Sequence, residues 1–179
     1  MNPHQFSAFL LALTLGASAT MSLAANNPDS HQHGHARLQM AIEGERIDLF
    51  LTSPAANLVG FEQAPATEAQ REKVRTVRAW ARQTPMVTSA DRPCTVTDVS
   101  VHATWPHRGA KHTHENEGHA DLEINQSLNC PGLSESTELE TTLMAQFPLL
   151  KQVEVQWVGP QGQGGALLTS GQIRFRPAN

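Results

Sequence analysis

The sequence predicts an α+β fold, mostly antiparallel β-sheet with one main helix and a His-rich loop between two strands. Three observations support this prediction: apolar and polar residues alternate in several segments, one segment has helical spacing, and nine histidines fall largely into two clusters. Hydrophobic residues make up 39% of the 179 residues, and the net charge is −4. That charge excludes a nucleic-acid binder held by bulk positive charge, so no nucleic-acid partner is expected.

The first residues are typical of a secretory signal. Residues 6–15 are mostly apolar but too few to cross a bilayer, and Ser22-Leu23-Ala24 fits the small-x-small cleavage rule. A buried N-terminal helix is the alternative, because residues 1–5 contain no Lys or Arg. No later segment is apolar over the roughly 18 residues that a spanning helix needs, so the mature chain is expected to have no membrane span.

These features predict an exported protein in three parts. The expected parts are a signal peptide at 1–24, a His-containing N-terminal tail at 25–35, and a single α+β metal-binding domain at 36–179 with a flexible insertion at 105–118.

A β-hairpin is predicted at the start of the domain. Apolar residues alternate with polar ones on both sides of a turn at residues 43–46, as expected for strands with one buried face. The alternating apolar residues are Ala36, Leu38, Met40 and Ile42, then Ile47, Leu49 and Leu51. Ser53-Pro54 ends the second strand, and residues 55–66 are predicted to be a largely apolar loop or short turn.

The main helix is predicted to begin at Thr67. Thr67 and Gln70 have the spacing of a capping box, and Thr84-Pro85 stops the helix. Its core-facing stripe is formed by Val74, Val77 and Ala81.

Two further strands, at residues 94–103 and 120–130, are predicted to flank the insertion as arms of a long hairpin. Val96 is out of phase with Val99 and Val101. Export to an oxidising compartment would let Cys94 and Cys130 form a disulfide, with two free buried thiols as the alternative.

The C-terminal third is predicted to add short strands. Residues 139–150 suggest a short strand followed by a helical turn, and residues 153–158 and 173–175 suggest strands. Residues 159–165 contain too much Gly for regular structure.

Two histidine clusters are the candidate metal site. Neutral imidazole and carboxylate are ligands of Zn(II), although Cu(II) and Ni(II) also accept nitrogen and oxygen donors. The candidate ligands are His31, His33, His35, His107, His112, His114, His119 and Asp121. Solvated polar segments are the alternative interpretation of both clusters, and His102, within a strand, is interpreted as a structural histidine.

A short internal repeat links the two clusters. Gly34-His35-Ala36-Arg37-Leu38 is similar to Gly118-His119-Ala120-Asp121-Leu122. If both strands enter the sheet at the same edge, His35 and His119 would be neighbours; chance similarity is the alternative.

No enzymatic activity is predicted. The chain has no H-E-x-x-H or G-x-S-x-G motif, and His112-Thr113-His114 lacks the Asp and His that complete the motif of metallo-β-lactamase-type hydrolases. A metal-dependent hydrolase is therefore a minor alternative.

Several motifs resemble the periplasmic, zinc-regulated ZrgA-like proteins associated with zinc ABC transporters. They are His33-Gly34-His35-Ala36, the block Ser53–Gln63 (SPAANLVGFEQ) and Gly118-His119-Ala120-Asp121. The resemblance implies zinc binding by a His-rich insertion between two strands and a supporting role in zinc uptake. Two features depart from the family's pattern: Gln63 stands where many members carry His, and the insertion is short.

The leading hypothesis is an exported protein that captures Zn(II) and supports its uptake. The implied partner is the solute-binding protein of a zinc ABC transporter. The alternative is a periplasmic protein-docking module with incidental or structural metal. Its contact surface would be the apolar segment 54–61, although a loop that covers the core is the preferred interpretation of that segment.

Overall fold

A computed structural model describes residues 32–105, 120–133 and 137–177 of the chain. The predicted signal peptide, most of the N-terminal tail and the insertion after Trp105 lie outside the described residues. Within the described ranges the fold is mostly β-sheet with few helices, as predicted, and no helix there is long and apolar enough to cross a membrane.

The described elements form two sheets and three helices. In chain order they are β1 (His35–Glu43), β2 (Arg46–Pro54), α1 (Ala55–Val59), α2 (Glu68–Gln83), β3 (Val87–Ser89), β4 (Thr95–Thr104), β5 (Asp121–Asn129), β6 (Leu139–Thr141), α3 (Leu143–Gln146), β7 (Gln152–Gly159), β8 (Gly162–Thr169) and β9 (Arg174–Phe175). The larger sheet has the order β4-β5-β2-β1-β7-β8, and the smaller has the order β3-β6-β9. All these strand pairs are antiparallel except β1 with β7.

The predicted N-terminal hairpin is confirmed. Glu43 of β1 pairs with Arg46 of β2, and Gly44 between them has a positive φ of 59°, which glycine adopts without steric strain. The alternating apolar residues of β1 and β2 are buried, apart from the half-buried Ile42. One face of the hairpin therefore joins the core.

The predicted main helix is confirmed as α2, including its capping box. The Thr67 hydroxyl accepts a hydrogen bond from the Gln70 amide at 3.2 Å, and the Gln70 side chain accepts one from the Thr67 amide at 3.0 Å. The predicted stripe of Val74, Val77 and Ala81 is buried. The α2 surface carries ion pairs, and hydrogen bonds from Arg75 and then Arg71 lower the pKa of Glu68.

A buried glutamine joins α2 to the larger sheet. Gln126 of β5 is only 2% exposed, and its side-chain nitrogen donates to the carbonyls of Ala81 and Thr84 at the end of α2. Its side-chain oxygen accepts from the Met86 amide at 2.8 Å. These three partners lie in the last turn of α2 and in the segment that leads to β3. Gln126 therefore connects the larger sheet to the end of the helix.

The hairpin of β4 and β5 is confirmed, and the irregular phase of Val96 has a structural cause. A β-bulge between Val96 and Asp98 shifts the register, so Val99 and Val101 follow a different phase from Val96. Beyond the paired residues Thr95 and Asn129, Cys94 and Cys130 form the predicted disulfide, with their Cα atoms 4.2 Å apart.

Three parts of the sequence prediction are incomplete or wrong. Residues 55–66 are not only loop, because α1 occupies their start. The glycine-rich segment 159–165 was expected to be irregular, but most of it belongs to β7 and β8. A Cβ atom at Gly164 would lie 2.4 Å from the Trp157 ring, so glycine here makes room for the aromatic side chain of the neighbouring strand. Strand β3 was not predicted.

Removing the disulfide should destabilise the domain. Oxidised wild-type protein should lose about 4 kcal/mol of unfolding free energy on reduction, because the bond closes a loop between residues 36 positions apart. Denaturant titration with and without reductant measures this loss. The unfolding free energy of a Cys94→Ser/Cys130→Ser variant should equal that of the reduced wild type and should not change when reductant is added. Equal stability of oxidised and reduced wild type would contradict the prediction.

Candidate metal centre

Several chain segments meet at one end of the larger sheet. Strand β1 begins there at His35, and β5 begins there at Asp121, which is paired with Pro54 of β2 and Thr104 of β4. The insertion after Trp105 leaves the sheet at this end and returns to it at Ala120. We call this end of the sheet the insertion edge.

A buried asparagine holds the His33-Gly34-His35 turn at the insertion edge. Asn57 is 3% exposed, and its side-chain oxygen accepts a hydrogen bond from the Gly34 amide at 2.7 Å. Its side-chain nitrogen donates to the His35 carbonyl at 2.8 Å and to the Ser53 hydroxyl at 3.1 Å. One side chain therefore fixes the backbone on both sides of the peptide bond that links Gly34 to His35.

The same turn is bound from the other side by the start of β7. The Gly34 carbonyl accepts hydrogen bonds from the amides of Lys151 and Gln152, at 2.7 and 2.9 Å. Gly34 has a φ of 82°, and a Cβ atom there would lie 3.2 Å from the Lys151 side chain. The positive φ therefore favours glycine at this position, and a larger residue would also press on the Lys151 side chain.

Helix α1 places Asn57 beneath this turn. The chain enters the helix directly from β2, and the Ala55 amide donates to the Ala120 carbonyl at 2.7 Å, just before β5. The helix ends at Gly60, whose φ of 83° is the left-handed conformation typical of a helix C-terminus. This short helix links the turn to the point where the insertion returns to the sheet.

The two residues after Gly60 contact both histidine-bearing segments. The Phe61 ring stacks on Trp105, the last described residue before the insertion, with centroids 5.7 Å apart and planes inclined by 16°. The Glu62 carboxylate oxygen Oε1 lies 2.5 Å from Nε2 of His33. Glu62 was not among the predicted site residues, although it lies in the block that carries the family resemblance.

Three of the eight predicted ligands lie in described residues. His33 and His35 are exposed in the turn and at the start of β1, and Asp121 is half-buried at the start of β5. The other five lie outside the described residues: His31, His107, His112, His114 and His119.

His35 and Asp121 share the face of the sheet opposite the core. Their neighbours Ala36 and Leu122 are buried on the inner face, so alternation directs His35 and Asp121 to the outer face. Strand β2 lies between β1 and β5, which separates the two strands by about 10 Å. The two strands that contain the described parts of the internal repeat, β1 and β5, thus begin at the insertion edge, two strands apart.

The described ranges alone do not complete a metal site. Within 32–105, 120–133 and 137–177, no three His, Cys, Asp or Glu side chains come together as metal ligands. Zinc sites in proteins generally use three or four protein ligands.

One interpretation of another residue is corrected, and one open alternative is decided. His102 was interpreted as a structural histidine, but its side chain is exposed on β4, in register with Glu123. The apolar segment at 54–61 covers the core: Ala55, Leu58 and Val59 are no more than 8% exposed. Burial removes that segment as a contact surface for a docking partner.

The fold and this edge define a strand-rich protein that presents histidine and carboxylate side chains at one end of a sheet. Residues 30–177 match the family described as "ZrgA family zinc uptake protein". The chain therefore belongs to the ZrgA family of zinc uptake proteins, which confirms the resemblance seen in the sequence. No curated protein matches the chain.

Replacing Asn57 should loosen the insertion edge. Asn57→Leu removes three hydrogen bonds and leaves the Gly34 amide and the His35 carbonyl without their side-chain partner, so the unfolding free energy should fall by about 3 kcal/mol. The matched control is Asn125→Leu, which changes an exposed amide on β5 and should cost about 0.5 kcal/mol or less. Chemical denaturation compares the two variants, and equal losses would contradict the assigned role.

Proposed function

We propose that the chain is an exported protein that captures Zn(II) in the periplasm and supports its uptake by a transport system. In this proposal residues 1–24 are removed as a signal peptide, and the metal-binding domain spans 36–179. The observation that carries the proposal is the insertion edge, where the His33-Gly34-His35 turn, Asp121 and both ends of the insertion lie together. Membership of a family of zinc uptake proteins supports zinc as the cargo.

The proposed ligands divide into two groups. His35 and Asp121 lie at strand starts, where a rigid sheet limits their movement, and His119 precedes Asp121 by two residues in the sequence. The remaining proposed ligands, in the tail and the insertion, are His31, His33, His107, His112 and His114. Two donors from the described edge plus donors from the insertion would reach the three or four ligands that zinc requires.

The exposure of the described histidines suits delivery of a cargo. The His33 side chain is 66% exposed, so a partner could reach an ion that it binds. A structural zinc site is instead closed by four protein ligands. In this proposal the recipient is the solute-binding protein of a zinc ABC transporter, and the chain catalyses no reaction of its own.

Zinc capture should depend on the insertion histidines. Changing His107, His112 and His114 together to Ala should weaken zinc binding by about tenfold or more, because ligand donors are lost. The control is His102→Ala, which removes an exposed histidine of β4 and should leave zinc binding unchanged. Calorimetric titration of Zn(II) into the mature protein measures both. Absence of zinc binding by the wild type would refute the proposed function.

The two histidines of the internal repeat should act on one zinc site. His35→Ala and His119→Ala should each weaken binding, and the double variant should be little weaker than either single variant, because removing either ligand breaks the same site. A double-mutant cycle of zinc affinities tests this. Additive losses would instead indicate separate sites.

A further inference from the structure

The contact between His33 and Glu62 joins two parts of the chain that are 29 residues apart. Nε2 of His33 and Oε1 of Glu62 are in hydrogen-bond contact. The Glu62 side chain is 22% exposed, whereas that of His33 is 66% exposed. The carboxylate is therefore the better enclosed member of the pair, and the imidazole projects from it towards solvent.

Separate structural features hold the two partners. Glu62 follows the left-handed helix end at Gly60 and the ring of Phe61, which is stacked on Trp105. His33 precedes Gly34, whose amide and carbonyl are both bound, the amide by Asn57. Because the backbone is fixed on both sides, the contact restricts how the His33 ring can turn.

The contact joins one imidazole nitrogen to one carboxylate oxygen. Nε2 is the ring nitrogen of His33 that contacts Oε1 of Glu62. A carboxylate that accepts an imidazole N–H is an arrangement common behind metal-bound histidines.

We propose that Glu62 is a positioning residue of the zinc site and acts through His33. By accepting the Nε2–H of neutral imidazole, the carboxylate leaves the lone pair on Nδ1 and directs that atom to the ion. His33 then binds zinc through Nδ1, and the negative carboxylate makes the ring a stronger donor. This inference rests on the proposed zinc capture and assigns to Glu62 a role in it.

The experiment compares Glu62→Ala, Glu62→Gln and the control Glu43→Ala in the mature protein. Glu43 is an exposed glutamate at the opposite end of β1. Zinc affinity is measured by calorimetry. The zinc-bound nitrogen of His33 is identified by ¹⁵N NMR of histidine-labelled protein, with His33→Ala used to assign the resonances.

Wild type and the Glu43 control should bind zinc equally, with His33 ligated through Nδ1. Glu62→Ala should weaken zinc binding about 10- to 100-fold and remove the preference for Nδ1. Glu62→Gln should retain Nδ1 ligation and recover most of the affinity, because its amide oxygen can still accept the Nε2–H. If Glu62 were instead a direct zinc ligand, or acted through its charge alone, the Glu62→Gln variant would not recover the zinc affinity.

Ligation of His33 through Nε2 in the wild type would overturn the inference. So would wild-type affinity in Glu62→Ala or His33→Ala, or a Glu62→Gln variant as weak as Glu62→Ala. In each of these cases zinc binding by the wild type would still support the proposed function, so the two failures are distinguishable. If Glu62→Ala does not fold, the wild-type NMR assignment and the Glu62→Gln affinity decide the question.

Discussion

The insertion edge depends on one buried amide. Asn57 bonds to the backbone on both sides of the Gly34–His35 peptide and to Ser53 at the end of β2. An amide is suited to this position because it supplies a donor and an acceptor from one side chain without a charge to desolvate. Without it, the turn before β1 would have no side-chain link to helix α1, and the geometry around His33 would be less restricted.

Much of the fold could be predicted because several long strands bury one face, as β1, β2 and β5 do. Alternation located β1, β2, β5 and β7, and the spacing of Val74, Val77 and Ala81 located the main helix. The parallel pairing of β1 with β7 could not be predicted, because alternation identifies strands and not their neighbours. Strand β8 was not predicted because its glycines disfavour regular structure, and the reason for Gly164 appears only in its contact with Trp157.

The candidate site was less predictable than the fold. Histidine spacing drew attention to His33 and His35, but the residues that hold them, Asn57 and Glu62, lie in a block without metal-ligand spacing. Their importance depends on the folding of α1 against the start of β1. Contacts between residues far apart in sequence leave no periodic signal, so only the structure reveals them.

The hydrogen bonds of the Gly34 carbonyl also constrain when the N-terminal turn can form. Its partners, the Lys151 and Gln152 amides, belong to the other end of the domain. A chain emerging N-terminus first would expose its first histidine cluster long before β7 is available to fix that turn. Contacts of such long sequence separation form slowly, because a long loop of chain must close before they can form. The first cluster therefore acquires its final geometry only once nearly the whole domain has emerged, and a C-terminally truncated chain would keep these histidines but lose their arrangement.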